Sequence, residues 1–292
     1  MRSASPMSHP TRILPGLSEI AARYDALICD VWGVLHNSVI AKAPAVDALR
    51  RFRAVHGPVI LLTNAPRPVA DVLVQFARIG VPQDCYDAIM TSGVAARLEL
   101  ERRATTHRLP MFHLGPERDR GVFEGLNVDC VGPDAAEVVL CTGFHDHERE
   151  TPDDYRDLLA RLRARNLTLL CANPDIQVQV GDRLVYCAGA MARAYEAIGG
   201  SVVYFGKPHR PIYEAALRLA EEAAGRPIAR PLAIGDGTAT DIKGANGVGI
   251  DALFIADGIH GEEIGALTPE SLGDLFGKAG VNAVAAMPAL MW

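Results

Sequence analysis

The sequence predicts an α/β fold, a doubly wound parallel sheet into which a smaller α/β domain is inserted, and three observations predict it. From about Tyr24 onward, short apolar runs ending in polar residues alternate with segments of helical periodicity. Those runs are apolar throughout rather than alternating, as strands buried on both faces are. The 292 residues, 49% hydrophobic and 22% charged, suffice for a sizeable core in one large or two modest domains and exclude a wholly disordered or collagen-like chain.

Taken in order, Ala26 to Asp30 and Pro58 to Thr63 read as the first two buried strands. Between them Ala45, Ala48, Leu49, Phe52 and Val55 keep helical spacing, which makes a βαβ unit. The next helix carries Val69, Val72, Leu73 and Phe76, with Pro66 and Pro68 at its entrance and Gly80 at its exit. From Thr91 to Cys187 the pattern is less regular, with candidate strands at Met111 to Leu114, Val138 to Thr142 and Leu167 to Ala172. An amphipathic helix through Tyr155, Leu158, Leu159 and Leu162 starts at Thr151-Pro152-Asp153, and Asn127 to Ala136 reads as a connecting segment with a short strand. Ser201 to Phe205 and Pro231 to Ile234, around a helix with Ile212, Ala215, Ala216, Leu219 and Ala220, then read as a return to the first domain. The last 30 or so residues read as capping helices and loops. The expected division is therefore a Ser- and Pro-rich, poorly ordered arm over 1–19, a core over 20–90 and 188–292, and an inserted domain over 91–187.

A net charge of −6, from 35 acidic and 29 basic residues without a block of one sign, excludes electrostatic nucleic-acid binding as a main role. No 18-residue apolar run is present, so no membrane span is expected, and the first ten residues lack the apolar stretch of a secretory signal. The six cysteines have no C-x-x-C spacing and several lie in apolar runs, as buried reduced thiols do. Together these point to a cytoplasmic protein.

Four polar groups stand where apolar strands end: Asp30, Thr63-Asn64, Lys207 and Asp236. In an open parallel sheet such ends line one crevice. A carboxylate, a hydroxyl and amide, a cation and a second carboxylate there suit a phosphate and a hard divalent ion: Asp30 can attack phosphorus, Asp236 can hold Mg²⁺, and Lys207 can neutralise the phosphoryl charge. Each residue alone reads as a turn, a cap or a solvated loop charge; their order as a set is what that reading leaves unexplained.

The order Asp30-Val31-Trp32-Gly33-Val34-Leu35, Leu62-Thr63-Asn64, Gly206-Lys207-Pro208 and Gly235-Asp236-Gly237-Thr238-Ala239-Thr240-Asp241 resembles the four motifs of the haloacid dehalogenase (HAD) superfamily across most of the chain. The 91–187 insertion with Asn173-Pro174-Asp175, and Gly189-Ala190 just after it, resembles the large α/β cap of class IIA, the NagD-like phosphatase branch. The resemblance implies a Rossmann-like core, an Asp30 nucleophile that forms an aspartyl-phosphate, and Thr63 and Asn64 as phosphate ligands. It further implies Lys207 between phosphate and nucleophile, and a Mg²⁺ site of Asp30, the Trp32 carbonyl, Asp236 and Asp241. Asn173 and Asp175 are expected near the leaving group of a small phosphorylated metabolite, and relatives imply a homodimer through the cap. Asp241 serves equally as a cap for the helix running through Ile242 to Asn246.

The departure is Trp32, because phosphatases of the superfamily carry there a second Asp that protonates the leaving oxygen and activates water. Losing a general acid and base removes about 10²–10⁴ in rate. His36 supplies the proton, or the substrate has a good leaving group, or the protein binds a phosphorylated ligand without turnover. Hydrolytic dehalogenation ranks behind these, since it has no use for Asp236 and Asp241. His145-Asp146-His147-Glu148 reads as a solvated loop and a candidate substrate contact rather than a second metal site.

Overall fold

The computed structural model describes residues 11–146, 148–180 and 183–292. Its strands are β1 (Arg12–Ile13), β2 (Ala26–Asp30), β3 (Val59–Thr63), β4 (Ala88–Thr91), β5 (Leu109–Leu114), β6 (Val128–Cys130), β7 (Val138–Cys141), β8 (Thr168–Cys171), β9 (Gln177–Val180), β10 (Arg183–Tyr186), β11 (Ser201–Tyr204), β12 (Pro231–Gly235), β13 (Asp251–Ile255) and β14 (Ala285–Met287). The helices are α1 (Ser18–Ala21), α2 (Ala43–Val55), α3 (Val69–Ile79), α4 (Ser92–Arg103), α5 (Arg156–Ala164), α6 (Ala188–Ala197), α7 (Arg210–Ala224), α8 (Lys243–Val248), α9 (Gly261–Ile264) and α10 (Pro269–Ala279). The chain divides into two compact units, one formed by the chain up to Leu61 with Ile79–Ala88 and Ala220–Trp292, the other by Leu62–Arg78 and Ile89–Leu219.

A seven-stranded sheet has the order β1-β14-β13-β12-β2-β3-β4, and its pairs β1/β14, β14/β13, β13/β12 and β12/β2 are parallel. Strand β2 is buried at all five positions, as its unbroken apolar run requires. Helix α2 starts at a Pro in its first turn and buries Ala45, Ala48, Leu49 and Phe52 of the expected stripe together with Val46, whereas Val55, expected on the same face, ends the helix exposed. The α/β class and the parallel core sheet stand as expected from the sequence.

The second unit carries a parallel five-stranded sheet in the order β11-β8-β7-β5-β6, and β9 and β10 form an antiparallel hairpin. Its core joins Leu114, Val139, Phe144, Leu159, Leu162 and Leu169 to Met191 and Tyr195 of α6. The start before α5 has the expected form, with Thr151 and Asp154 bonding each other's backbone as a capping box.

Two expectations are corrected. Ser201 to Phe205 does not resume the first sheet: β11 pairs with β8 from Ser201↔Thr168 to Tyr204↔Cys171, and the core sheet resumes only at β12. A short apolar run encodes a strand but not the sheet it joins; β11 lies at the edge of the second sheet and is exposed or half-buried along its length. The two chain ends are also not arm and cap alone. Strand β14 lies between β13 and β1, and Leu14 N–H donates to Ala286 O at 2.9 Å, so the expected arm gives up residues from Arg12 onward to the sheet. These strands are two and three residues long, too short for period-2 patterning to register. The remainder of the expected arm, residues 1–10, lies outside the described residues. No helix among the described residues is long and apolar enough to cross a membrane.

Candidate active site

In the first unit the site begins where β2 and β12 end side by side. Cys29 pairs with Ile234, so Asp30 and Asp236 leave neighbouring parallel strands one and two residues further on, at the same end of the sheet. Both are buried, and Asp241 joins them from a wide helical turn over Thr238–Ile242. One carboxylate oxygen of each lies within 4.8 Å of the others. Asp241 does not sit at the cap position of α8; its Oδ2 accepts from Gly237 N–H at 3.2 Å and Thr240 Oγ1 at 3.0 Å, which ties it back to the end of β12. Three buried carboxylates on a fixed backbone are hard oxygen donors of the kind that suits Mg²⁺.

Asp236 is enclosed by backbone. Gly33, at φ +84°, and Gly258 each approach it so closely that a Cβ on either would overlap its carboxylate, and Ile259 N–H donates to its Oδ2 at 2.9 Å. A side chain at Gly33 would also meet the penalty of the left-handed region. Lys42 Nζ links the two loops, donating to Gly33 O at 2.6 Å and Asp257 O at 3.0 Å, with Asp257 Oδ2 at 3.6 Å. Nearby, His260 Nε2 meets Thr238 N–H at 3.3 Å and Thr238 Oγ1 at 3.0 Å.

The loop after Asp30 is tightly folded. Trp32 is 47% exposed and its indole Nε1–H donates to Ser38 Oγ at 2.7 Å. His36 is buried, with Nδ1 accepting from Ser38 N–H at 3.0 Å, and burial pushes its pKa down to about 4.

In the second unit the expected phosphate and leaving-group residues meet in one network. Asn64 Oδ1 accepts from Lys207 N–H at 2.7 Å, while its Nδ2 donates to Lys207 O at 3.2 Å and to Asp175 Oδ1 at 2.9 Å. Asn173 Oδ1 accepts from Asp175 N–H at 3.0 Å, and the Lys207-Pro208 bond is cis. Thr63 Oγ1, at the end of β3, accepts from Ala65 N–H at 3.3 Å. Asn64, Asn173, Asp175 and Lys207, far apart in sequence, are thus brought together, and both N–H bonds of the Asn64 amide are engaged within the protein.

His145 is exposed and stacks on Tyr155, whose hydroxyl donates to Glu150 at 2.7 Å. Asp146 accepts from Glu148 N–H, a turn closed on itself. His147 lies outside the described residues. Among the described residues, the Asp30, Asp236 and Asp241 group is the one cluster of three His, Cys or carboxylate side chains arranged to hold a metal. All six cysteines are free, with Cys130 exposed and the others buried. Sequence reasoning missed Lys42, Gly258, Ile259 and His260; the Asp257-Gly258 turn signal was the one available cue.

Comparison with known proteins bears on this geometry. A family model described as haloacid dehalogenase-like hydrolase matches residues 27–129, and one described as HAD-hydrolase-like matches residues 204–274. A solved hydrolase of the haloacid dehalogenase-like family from Brucella suis 1330 is 45% identical, covers 95% of this chain and 100% of its own, and superposes with a TM-score of 0.81. The ribonucleotide monophosphatase NagD of Escherichia coli (strain K12) is 25% identical over 235 residues, 80% of this chain and 88% of that protein. At 21% identity, a glycerol phosphate phosphatase of Mycobacterium tuberculosis solved in complex with magnesium shares the fold, with a TM-score of 0.65 over 86% of this chain and 74% of that chain.

Proposed function

The chain belongs to the haloacid dehalogenase-like hydrolases, and on that premise we propose that it is a Mg²⁺-dependent phosphatase acting on a small-molecule phosphate monoester through an aspartyl-phosphate at Asp30. The observation that carries this reading is the buried group of Asp30, Asp236 and Asp241 at the ends of adjacent parallel strands. NagD and the glycerol phosphate phosphatase support it by their activities and, in the second case, by the magnesium bound in that protein. The carboxylates of Asp30, Asp236 and Asp241 and the carbonyl of Trp32 are the groups assigned to Mg²⁺, which when bound supplies charge neutralisation for the phosphoryl oxygens.

An Asp30 oxygen forms a bond to phosphorus as the bond to the leaving oxygen breaks and its electron pair departs with that oxygen. Water then attacks phosphorus, releasing phosphate and regenerating the Asp30 carboxylate. Thr63 Oγ1 and Lys207 Nζ are assigned to the phosphoryl oxygens. Asn64, with its amide engaged by Lys207 and Asp175, is assigned to positioning the lysine loop rather than to phosphate itself, and Asn173 supports Asp175 in the same task.

The proton for the leaving oxygen has no evident donor in the loop after Asp30. Trp32 has no carboxyl and its N–H is held by Ser38. A buried His36 with a pKa of about 4 is neutral at pH 7, so it donates a hydrogen bond at most. The substrate is therefore one whose leaving group departs as a stable anion. The buried Asp236 and Asp241 favour this chemistry over hydrolytic dehalogenation.

Phosphate release from a series of aryl and alkyl phosphates, with Mg²⁺ or EDTA and with Asp30→Asn as control, tests the reading. Release requiring both Mg²⁺ and Asp30, and falling steeply as the leaving group becomes more basic, is expected. Tight Mg²⁺-dependent binding of these phosphates without release across the series would replace the phosphatase with a phosphate-ligand sensor.

A further inference from the structure

We propose that Lys42 is a positioning residue for the cation site: it fastens the two loops that enclose Asp236 and so sets how tightly Asp30, Asp236 and Asp241 hold a divalent ion. This rests on reading those carboxylates as a cation site and adds a residue outside the four motif segments of this chain. An ammonium offers three donors with no preferred plane, suited to drawing together acceptors from separate segments. Lys42 Nζ meets three oxygens, Gly33 O at 2.6 Å, Asp257 O at 3.0 Å and Asp257 Oδ2 at 3.6 Å, and they come from segments 9 residues before and 215 residues after it.

Each fastened segment carries a backbone wall of the Asp236 carboxylate. Gly33 is one wall and is itself the acceptor; Gly258 is the other and directly follows Asp257. Ile259 N–H, one residue further, holds Oδ2 of Asp236 at 2.9 Å. The lysine is itself fixed, since its N–H donates to Leu35 O at 2.8 Å and it directly precedes α2. Asp257 is 74% exposed at its side chain, so the ion pair alone contributes little. The bonds to the two carbonyls are the ones that hold the walls in place, and groups that orient a metal ligand typically govern ten- to hundredfold in metal affinity.

The test is Mn²⁺ binding to the full chain, followed by the loss of the free-ion electron paramagnetic resonance signal, in the wild type, Lys42→Met, Lys42→Gln, Asp257→Asn and Asp236→Asn. Lys42→Met is expected to weaken Mn²⁺ about tenfold. Lys42→Gln, which keeps two N–H donors, falls between it and the wild type and decides the matter if the Met variant does not fold. Asp257→Asn keeps its carbonyl and stays within about twofold of the wild type, in line with the small worth of an exposed ion pair. Unfolding temperatures in EDTA separate a general loss of stability from a loss specific to the ion. Lys42→Met and Lys42→Gln binding Mn²⁺ as the wild type does, while Asp236→Asn binds none, would overturn the role of Lys42. A wild type that binds no Mn²⁺ would instead overturn the cation site, and the inference with it.

Discussion

The two units place their charged groups by different means. In the first, three carboxylates are crowded together, and shape does much of the placing: Gly33 and Gly258 leave no room for a side chain against Asp236, backbone N–H groups bond Asp236 and Asp241, and the Thr240 hydroxyl donates to Asp241 as well. In the second, the Lys207 segment is placed by a side chain, the Asn64 amide, which bonds both its N–H and its C=O and reaches Asp175 as well. Carboxylates held close need donors at short range, which bare backbone and a small hydroxyl side chain supply. A single cation on a loop needs just one reciprocal clasp.

The sharpest break in this comparison comes from the carboxylates. Asp30→Asn is expected to abolish turnover, by about 10⁴-fold or more, since it removes the nucleophile, and steady-state phosphate release measures it. Asp236→Asn is expected to lose more Mg²⁺ affinity than the ten- to hundredfold typical of supporting groups, read by titration calorimetry. On the other side, Asn64→Ala leaves a buried N–H and C=O of Lys207 without their partner. It is expected to cost about 2 kcal/mol in denaturant unfolding and to slow turnover about 10²-fold through misplacement of the lysine. Trp32→Asp is expected to speed hydrolysis of alkyl phosphates by up to about 10² while changing aryl phosphates little, so the ratio of the two rates is the readout.

The smallest effect concerns acid. Two histidines, the buried His36 in the first unit and the half-buried His113 in the second, each have their pKa pushed from 6.5 to about 4, chiefly by loss of solvent. Between those values the unfolded chain binds protons that the folded one does not. Stability is thus fully present above pH 6.5 and declines as pH falls toward 4. His113→Gln, which can keep the bond to Thr142 Oγ1, is expected to flatten that decline in thermal unfolding between pH 7 and 4.5.

Legibility from sequence followed length and local pattern. The five-residue strands β2, β3 and β12 and helices such as α2 and α3 were readable because each carries its own apolar period, and Asp30, Asp236 and Lys207 were readable because they stand at strand ends. The network joining the Asn64 and Asp175 side chains to the Lys207 backbone was not, since contacts over 111 and 143 residues leave no local trace. Lys42 was invisible for the same reason, its partner at Asp257 lying 215 residues away.

The sequence by itself determined the α/β class, the parallel core sheet and the set of acidic and basic residues at its strand ends, because periodicity and termination are properties of short segments. Only the tertiary structure decided that β11 joins the second sheet, that β1 and β14 complete the first, that Asn64 holds the Lys207 backbone, and that Lys42 fastens the loops around Asp236. Each of these depends on which distant segments meet, and that is settled by burial and hydrogen-bond satisfaction over the whole chain rather than by any one stretch of it.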